Sequence, residues 1–169
     1  MTYVVNTKVM TVELAKIVQE ITQDILKGVR GIMSSNIGIN EKVNKNTLVG
    51  SNLYNQIKTQ FKQDENEIVI NLFFNHYIEF IESGRMPKTG KKPPVFEIVK
   101  WLRRKHIVAS NDNITSVAYA VRYAIWRDGY KARKVMEALD KSVDSEFDKR
   151  YADMIFDALF KEVDDYFNS

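Results

Sequence analysis

Residues 66–74 read Asn-Glu-Ile-Val-Ile-Asn-Leu-Phe-Phe, and this stretch decides the class of fold. Apolar side chains recur in it at every second position, which is the period of a β-strand: Ile68, Ile70, Leu72 and Phe74. Residues 63–66 before it are typical of a turn, and residues 54–62 alternate imperfectly, so we predict a β-hairpin. The other face of the second strand carries Val69 and Phe73, so we expect helices or a neighbouring subunit to cover it.

Helical periodicity flanks the hairpin on both sides. Residues 11–33 place apolar side chains at helical spacing, with Thr11 as the predicted N-cap. A short apolar–aromatic segment follows the hairpin, and the spacing beyond it predicts helices at residues 94–106, 111–127, 132–139 and 145–167. Because strands and helices are segregated along the chain, we predict an α+β fold. It combines a small antiparallel β-hairpin, several α-helices packed with it and a long C-terminal helix.

The composition sets further bounds. With 169 residues, 44% hydrophobic and 28% charged, the chain suits a globular domain with a sizeable core. We predict a domain over residues 1–144 that includes the N-terminal helix, and a helical extension over residues 145–169. The absence of cysteine excludes disulfides, thiolate metal sites and cysteine nucleophiles. No apolar run reaches the roughly 18 residues of a membrane span, and residues 1–8 lack signal-peptide features, so we expect action in a cytoplasm.

Charge is unevenly distributed, although the net charge is only +3. Residues 85–105 contain eight Lys or Arg against one acid, whereas residues 137–169 contain ten Asp or Glu against four Lys or Arg. Oppositely charged segments on one subunit can steer the head-to-tail association of identical subunits. They can equally be two solvated faces that keep the protein soluble, because exposed charges usually contribute little.

The sequence offers few groups for catalysis or metal binding. His76 follows the apolar strand and His106 ends a basic helix, and neither has the spacing of a metal-binding motif. Glu79 and Glu82 could share one helix face, but no ligand set accompanies them in the sequence. We therefore predict a protein without enzymatic activity, metal or cofactor. An enzyme of unrecognised type would require His76, Glu79 and Glu82 to converge in a pocket.

The basic loop and helix within residues 85–105 suggest contact with nucleic acid. Their cations could contact phosphates without reading sequence: Lys88, Lys91, Lys92, Lys100, Arg103, Arg104 and Lys105. Helices 94–106 and 111–127 are consecutive, as in a helix-turn-helix, but the second offers few polar side chains for reading bases. Sequence-specific recognition is therefore not expected. A non-specific DNA-binding or regulatory protein is the alternative to a structural function.

The order of motifs along the chain resembles that of a known family. The motifs are LVGSNL at residues 48–53, YIEFIESG at 77–84, PPVFEIVKWL at 93–102, KHI at 105–107, AYAVRYAI at 118–125 and RDGYKAR at 127–133. This order resembles the minor tail or tail-completion (head–tail joining) proteins of tailed bacteriophages. In that family a basic proline loop leads to a helix with a central tryptophan, and a later helix closes with a Gly-aromatic-Lys-x-Arg turn. The resemblance covers residues 48–139, and the helix after Ser145 has no counterpart in it.

The resemblance implies a structural subunit of the virion neck or tail, without catalysis. Such a subunit forms a homo-oligomeric ring that joins the head or portal to the tail and surrounds the DNA channel. The partners implied are portal, adaptor and tail proteins, with assembly in the host cytoplasm and no membrane or small-molecule substrate. On this interpretation the seven cations of residues 88–105 face a neighbouring subunit or duplex DNA in the channel. The candidate subunit-interface residues are Val69, Phe73, Glu79 and Glu82.

Overall fold

The computed structural model describes residues 2–6, 12–63, 67–107 and 111–168. In chain order its strands and helices are β1 (Thr2–Asn6), α1 (Val12–Ser34), β2 (Ile39–Asn40), β3 (Lys45–Asn46), α2 (Asn52–Asn55), β4 (Lys58–Gln63), β5 (Glu67–Phe73), α3 (Ile78–Ser83), α4 (Val95–Arg104), α5 (Asn111–Asp128), α6 (Val135–Glu146) and α7 (Ala152–Phe167). A 3-10 turn lies at Asn36–Gly38 and a π-helical turn at Phe147–Tyr151. The fold is α+β, with a small antiparallel sheet, several helices and a long C-terminal helix, as the sequence predicts.

The predicted hairpin is present and forms two strands of a three-stranded sheet. β4 and β5 pair antiparallel, with Thr59 opposite Leu72, and the sheet order is β1-β5-β4. Ile68, Ile70 and Leu72 are buried, which confirms the alternation predicted for the second strand. Residues 64–66 of the predicted turn lie outside the described residues.

Two features of this sheet differ from the prediction. The first hairpin strand begins at Lys58 and not at Tyr54, because Tyr54 belongs to the short helix α2, which the Ser51 hydroxyl caps by accepting from the Tyr54 N–H (3.2 Å). β1 was not predicted. It pairs with β5, which lies far along the chain, and Val4 is opposite Val69. A strand of five residues that is defined by such a distant partner is too short to show a periodic pattern of its own.

α1 begins at Val12 and ends at Ser34, close to the predicted 11–33, and Thr11 lies outside the described residues. Six of its apolar residues recur at helical spacing and are buried: Leu14, Val18, Ile21, Ile25, Val29 and Met33. α1 packs against β4, α6 and α7. Burial of this one face is the main source of hydrophobic stabilisation for the part of the chain around α1.

By packing, the chain divides into two units. Unit 1 comprises Met1–Glu79 and Lys134–Ser169, and unit 2 comprises Phe80–Arg133. Unit 1 therefore contains the sheet, α1, α6 and α7. The predicted division into a domain of residues 1–144 and an extension of residues 145–169 rests on the family resemblance, whereas these two units are defined by packing. The predicted division therefore stays a prediction.

The C-terminal helices run on from one another. α6 ends at Glu146 and the π-helical turn Phe147–Tyr151 leads directly into α7. The helix that the sequence predicts from Ser145 therefore has no separate start. Among the described residues, no helix is both long enough and apolar enough to cross a membrane.

In unit 2 the core lies between α4 and α5. Ile98 and Leu102 of α4 pack with Ile114 and Ala118 of α5, and the half-buried side chains around them are Val95, Val99, Val117, Val121 and Ile125. α5 ends where Gly129 adopts a left-handed conformation (φ 59°), which its missing side chain permits. Both helices thus turn one apolar face to each other and leave the opposite face to solvent.

Candidate interaction surface

The basic loop runs from Arg85 to the start of α4. Its first residue, Arg85, pairs with Tyr130, which is distant in the sequence. The Arg85 N–H donates to the Tyr130 carbonyl (2.8 Å), and the Tyr130 N–H donates to the Arg85 carbonyl (3.0 Å). Glycines make this approach possible, because a Cβ at Gly129 would overlap the Arg85 carbonyl oxygen and one at Gly84 would lie 2.5 Å from the Ala132 nitrogen. The end of the YIEFIESG motif at Gly84 therefore packs against the RDGYKAR motif.

The loop that follows is held by its own side chains. The Arg85 guanidinium donates to the carbonyls of Thr89 and Lys91 (both 2.7 Å), and the Thr89 hydroxyl donates to the Met86 carbonyl (2.7 Å). The Lys88 N–H donates to the Trp126 carbonyl (2.6 Å) at the end of α5. These bonds give the loop a defined course between Arg85 and the start of α4.

α5 has a second stripe, opposite the face that packs on α4. Tyr119, Tyr123 and Trp126 recur at intervals of four and three residues, so they lie on one side of the helix. Tyr119 and Tyr123 are 54% and 49% exposed, and the ring centroids of Tyr123 and Trp126 are 6.0 Å apart. The solvent face of α5 is therefore aromatic.

Three cations lie close to the rings of this aromatic stripe. The Lys92 ammonium lies 4.7 Å from the Trp126 ring centroid and 5.3 Å from that of Tyr123. The Arg127 guanidinium lies 5.9 Å from the Tyr123 ring, and that of Arg122 lies 6.0 Å from the Tyr119 ring. Such cation–π contacts are worth about 0.5–1 kcal/mol at exposed sites. We call this surface the basic–aromatic patch; its residues are Lys92, Tyr119, Arg122, Tyr123, Trp126 and Arg127.

Two arginines of the patch are fixed in position. The Arg122 Nε donates to the Pro93 carbonyl (2.8 Å), which ties the end of the loop to α5. The Arg127 guanidinium donates to both carboxylate oxygens of Asp128, at 2.6 and 2.9 Å, and this bond raises the pKa of Arg127 above its ordinary value. The ion pair therefore favours the charged form of Arg127.

The structure divides the predicted basic residues between two places. Lys92 lies in the basic–aromatic patch, whereas helical spacing places Lys100, Arg103 and Arg104 on the side of α4 away from the buried Leu102. All seven predicted cations are exposed: Lys88, Lys91, Lys92, Lys100, Arg103, Arg104 and Lys105. The outward faces of two packed helices point in different directions, so the cations of α4 lie on another face of unit 2 than Lys92.

α7 also has two apolar stripes. Tyr151, just before it, and Ile155 and Ala158 within it are buried in unit 1. A second stripe, at intervals of four, three and four residues, is exposed: Phe156 (59%), Phe160 (71%), Val163 (53%) and Phe167 (78%). Exposed carboxylates of Asp153, Asp157 and Asp164 border it. We call these seven residues the acidic–aromatic stripe.

The predicted subunit-interface residues have mixed environments. Phe73 at the end of β5 is 49% exposed and Val69 is half-buried. Glu79 is exposed and Glu82 half-buried, one turn apart on α3. Whether any of the four touches another chain stays a prediction.

The two histidines are exposed. His106 follows α4 with φ 51°, and the hydrogen bonds from the His106 N–H to the Arg103 carbonyl (3.1 Å) and from the Ile107 N–H to the Leu102 carbonyl (3.2 Å) form a helix C-cap of the Schellman type. His76 and Glu79 are exposed and Glu82 is half-buried, and whether the three act together stays a prediction. Among the described residues, no group of three His, Asp or Glu side chains is arranged to hold a metal ion.

An ion pair that the sequence does not predict lies beside α1. Arg150, in the π-helical turn, donates from its guanidinium to the Asp24 carboxylate of α1 (2.7 Å). The Arg150 Nε also lies 3.7 Å from the Glu146 carboxylate. The hydrogen bond from Arg150 lowers the pKa of Asp24, and burial raises the pKa of the neighbouring Tyr151. These residues line a groove between α1 and α6. The pair positions the start of α7.

Sequence reasoning missed the two surface stripes for different reasons. A second series at residues 156, 160, 163 and 167 is visible in the sequence, but periodicity alone does not say which of two series is buried. The patch on α5 depends on Lys92, which only the folded loop brings to Tyr123 and Trp126. Comparison of the chain with known protein families, with curated proteins and with solved structures finds no match.

Proposed function

We propose that this chain is a structural subunit that assembles head to tail with copies of itself, as a ring of the neck or tail of a tailed-bacteriophage virion. The observation that carries the proposal is the separation of charge between the two units. Unit 2 contains twelve Lys or Arg against four Asp or Glu, a net charge of +8, and the rest of the chain contains thirteen against eighteen, a net charge of −5. The basic unit of one copy attracts the acidic unit of the next.

The exposed aromatic residues support an assembly function. Tyr, Trp and Arg, the residue types most enriched at binding hot spots, make up five of the six residues of the basic–aromatic patch. Four exposed apolar side chains on α7 form a second surface of this kind. A contact between two different surfaces of identical subunits is heterologous, and it closes into a ring when the rotation between subunits allows it.

The setting in a virion neck or tail rests on the motif order within residues 48–139. In that setting the partners are portal, adaptor and tail proteins. Lys100, Arg103 and Arg104 on the outer side of α4 would contact duplex DNA in the channel through its phosphates, without reading its sequence.

The proposal is tested by imaging the protein alone and with the neck and tail proteins of the same virion. Negative-stain electron microscopy is expected to show closed rings in at least one of these mixtures. Rings held by charge should dissociate as ionic strength rises, because salt screens exposed charges. A protein that stays monomeric with every neck and tail component contradicts the proposal.

Non-specific DNA binding is the second candidate, favoured by the +8 charge of unit 2. Exposed aromatic rings beside cations can also stack on unpaired bases. This function predicts that the isolated protein shifts DNA in a gel, with an affinity that falls steeply with salt. Replacing Lys91, Lys92, Arg103 and Arg104 with Gln should then abolish the shift, whereas replacing Lys27, Lys42, Lys141 and Lys161 of unit 1 should not.

A further inference from the structure

We propose that the acidic–aromatic stripe of α7 docks on the basic–aromatic patch of a second copy of this chain. This inference names the contact that the proposed head-to-tail assembly uses, and it rests on that proposal. It assigns a role to the part of the chain that follows Ser145, for which the motif order gives none.

The stripe on α7 is not needed by the fold of unit 1. The opposite side of the same helix supplies Ile155 and Ala158 to the core. Phe156, Phe160 and Phe167 are at least 59% exposed, so water surrounds most of each ring. Leaving several neighbouring apolar side chains in water is unfavourable unless another surface covers them.

The carboxylates beside the stripe favour a binding partner with a positively charged surface. A second α7 would bring the same carboxylates of Asp153, Asp157 and Asp164 together, and a surface of anionic lipid headgroups would repel them. The basic–aromatic patch has the opposite charge, because Lys92, Arg122 and Arg127 outnumber Asp128, the carboxylate paired with Arg127. Its Tyr and Trp rings offer apolar area to the phenylalanines. The patch of a second copy is the complementary surface that this chain itself provides.

The stripe on α7 is long enough to cover the rings of the patch. The stripe from Phe156 to Phe167 extends over roughly 16 Å of helix, and the rings from Tyr119 to Trp126 over roughly 10 Å, at about 1.5 Å per residue. Two helices packed along these stripes would match over about two turns, with acids of α7 beside cations of the patch. The contact uses a different surface on each partner, so the two terminal copies of an open assembly keep one stripe and one patch free until the assembly closes.

The test uses full-length chains and sedimentation equilibrium. The variant Phe156→Ser/Phe160→Ser removes the centre of the stripe, and we expect its self-association to be weaker than that of the unchanged chain by roughly 100-fold or more. Phe96→Ser is the matched control, because Phe96 is 59% exposed, as is Phe156, but lies on α4 outside both surfaces. The control should associate as the unchanged chain does.

A mixing experiment tests the pairing of surfaces directly. Lys92→Glu/Tyr123→Ser damages only the patch, so neither it nor the stripe variant should self-associate. Mixed together they should form a one-to-one complex and nothing larger, because only one intact stripe and one intact patch are left. If the mixture stays monomeric, or if the stripe variant associates as the unchanged chain does, the inference is wrong.

Two further measurements separate folding and function from this contact. Thermal unfolding of each variant, measured at a concentration at which the unchanged chain is monomeric, should match that of the unchanged chain. If a serine variant unfolds, the variant Asp153→Lys/Asp157→Lys takes its place, because it changes charge alone. Binding of this variant should be restored by a partner chain that carries Lys92→Glu/Arg127→Glu. An unchanged chain that is monomeric at its highest soluble concentration also overturns the inference, whereas rings formed with neck and tail proteins would still support the proposed function.

Discussion

α1 and α7 are both amphipathic helices of unit 1, but they distribute their apolar residues differently. The apolar stripe of α1 from Leu14 to Met33 is buried, and its outer side carries polar residues such as Gln19, Glu20 and Gln23. α7 buries one stripe and exposes a second. One apolar stripe per helix is enough to build the core, and a second stripe on the solvent side costs free energy unless something covers it. The comparison therefore distinguishes the buried stripes, which stabilise the fold, from the exposed stripe of α7, which is available to a partner.

The largest expected effect tests this separation directly. Leu14→Ala removes a side chain that is 0% exposed, and the lost burial and remaining cavity should lower the free energy of unfolding by about 2–5 kcal/mol. Phe160→Ala on α7 removes a larger side chain that is 71% exposed and should change the free energy of unfolding by less than about 0.5 kcal/mol. Urea unfolding followed by circular dichroism measures both. Similar losses in the two variants would contradict the comparison.

An intermediate effect concerns two glycines in different surroundings. Gly31 lies on the open side of α1, where an added Cβ would meet no atom within 4 Å, so Gly31→Ala should stabilise the protein by up to about 1 kcal/mol through helix propensity. Gly129 has φ 59° and abuts the Arg85 carbonyl, so Gly129→Ala should destabilise by about 1–3 kcal/mol from backbone strain, before any clash is counted. Hydrogen exchange should show the loss in residues 84–133. An equal response of the two variants would show that the basic loop is not closed at Gly129.

The smallest effect concerns the ion pair that links α1 to the turn before α7. Arg150 lowers the pKa of Asp24 in the folded chain below the ordinary 3.8, so the unfolded chain binds a proton more readily. The stabilisation is therefore complete above pH 3.8 and is lost as the pH falls through the lowered pKa of the folded state. Asp24→Asn should lower the melting temperature slightly at pH 7 and not at a pH below that pKa. Since the pair is partly exposed, the effect is small.

A double-mutant cycle isolates this pair. Arg150→Gln should lower the melting temperature by a similar amount at pH 7, and the combined Asp24→Asn/Arg150→Gln variant should lose little more than either single variant. Losses that add would show that the two side chains do not interact.

The local pattern of the sequence predicts most of the elements. The alternation at residues 68–74 and the helical spacing at residues 11–33 correspond to β5 and α1, because side chains on one face of an element recur with the period of its backbone. β1 could not be found in this way, since a strand of five residues is defined by its partner β5. The predicted helix start at Ser145 was wrong because a π-helical turn continues the helix where the pattern changes phase.

The candidate surfaces depend more on tertiary structure. The cations of residues 85–105 were found from composition alone, but their separation into Lys92 against α5 and three cations on α4 follows from how α4 packs on α5. Charge counts along a chain do not contain that information, because two helices in contact turn their outer faces in different directions.

The sequence by itself determined the α+β class and the opposite charges of its segments, and it contains both apolar series of the last helix without indicating which one is buried. Only the tertiary structure decided which stripe of that helix is buried. The physical reason is that periodicity is a property of neighbouring residues, whereas burial is decided by contacts between distant ones, such as Arg150 with Asp24 and Arg122 with Pro93. In the packing of α7 on α1, Ile155 is buried, whereas Phe156 and Phe160 are exposed.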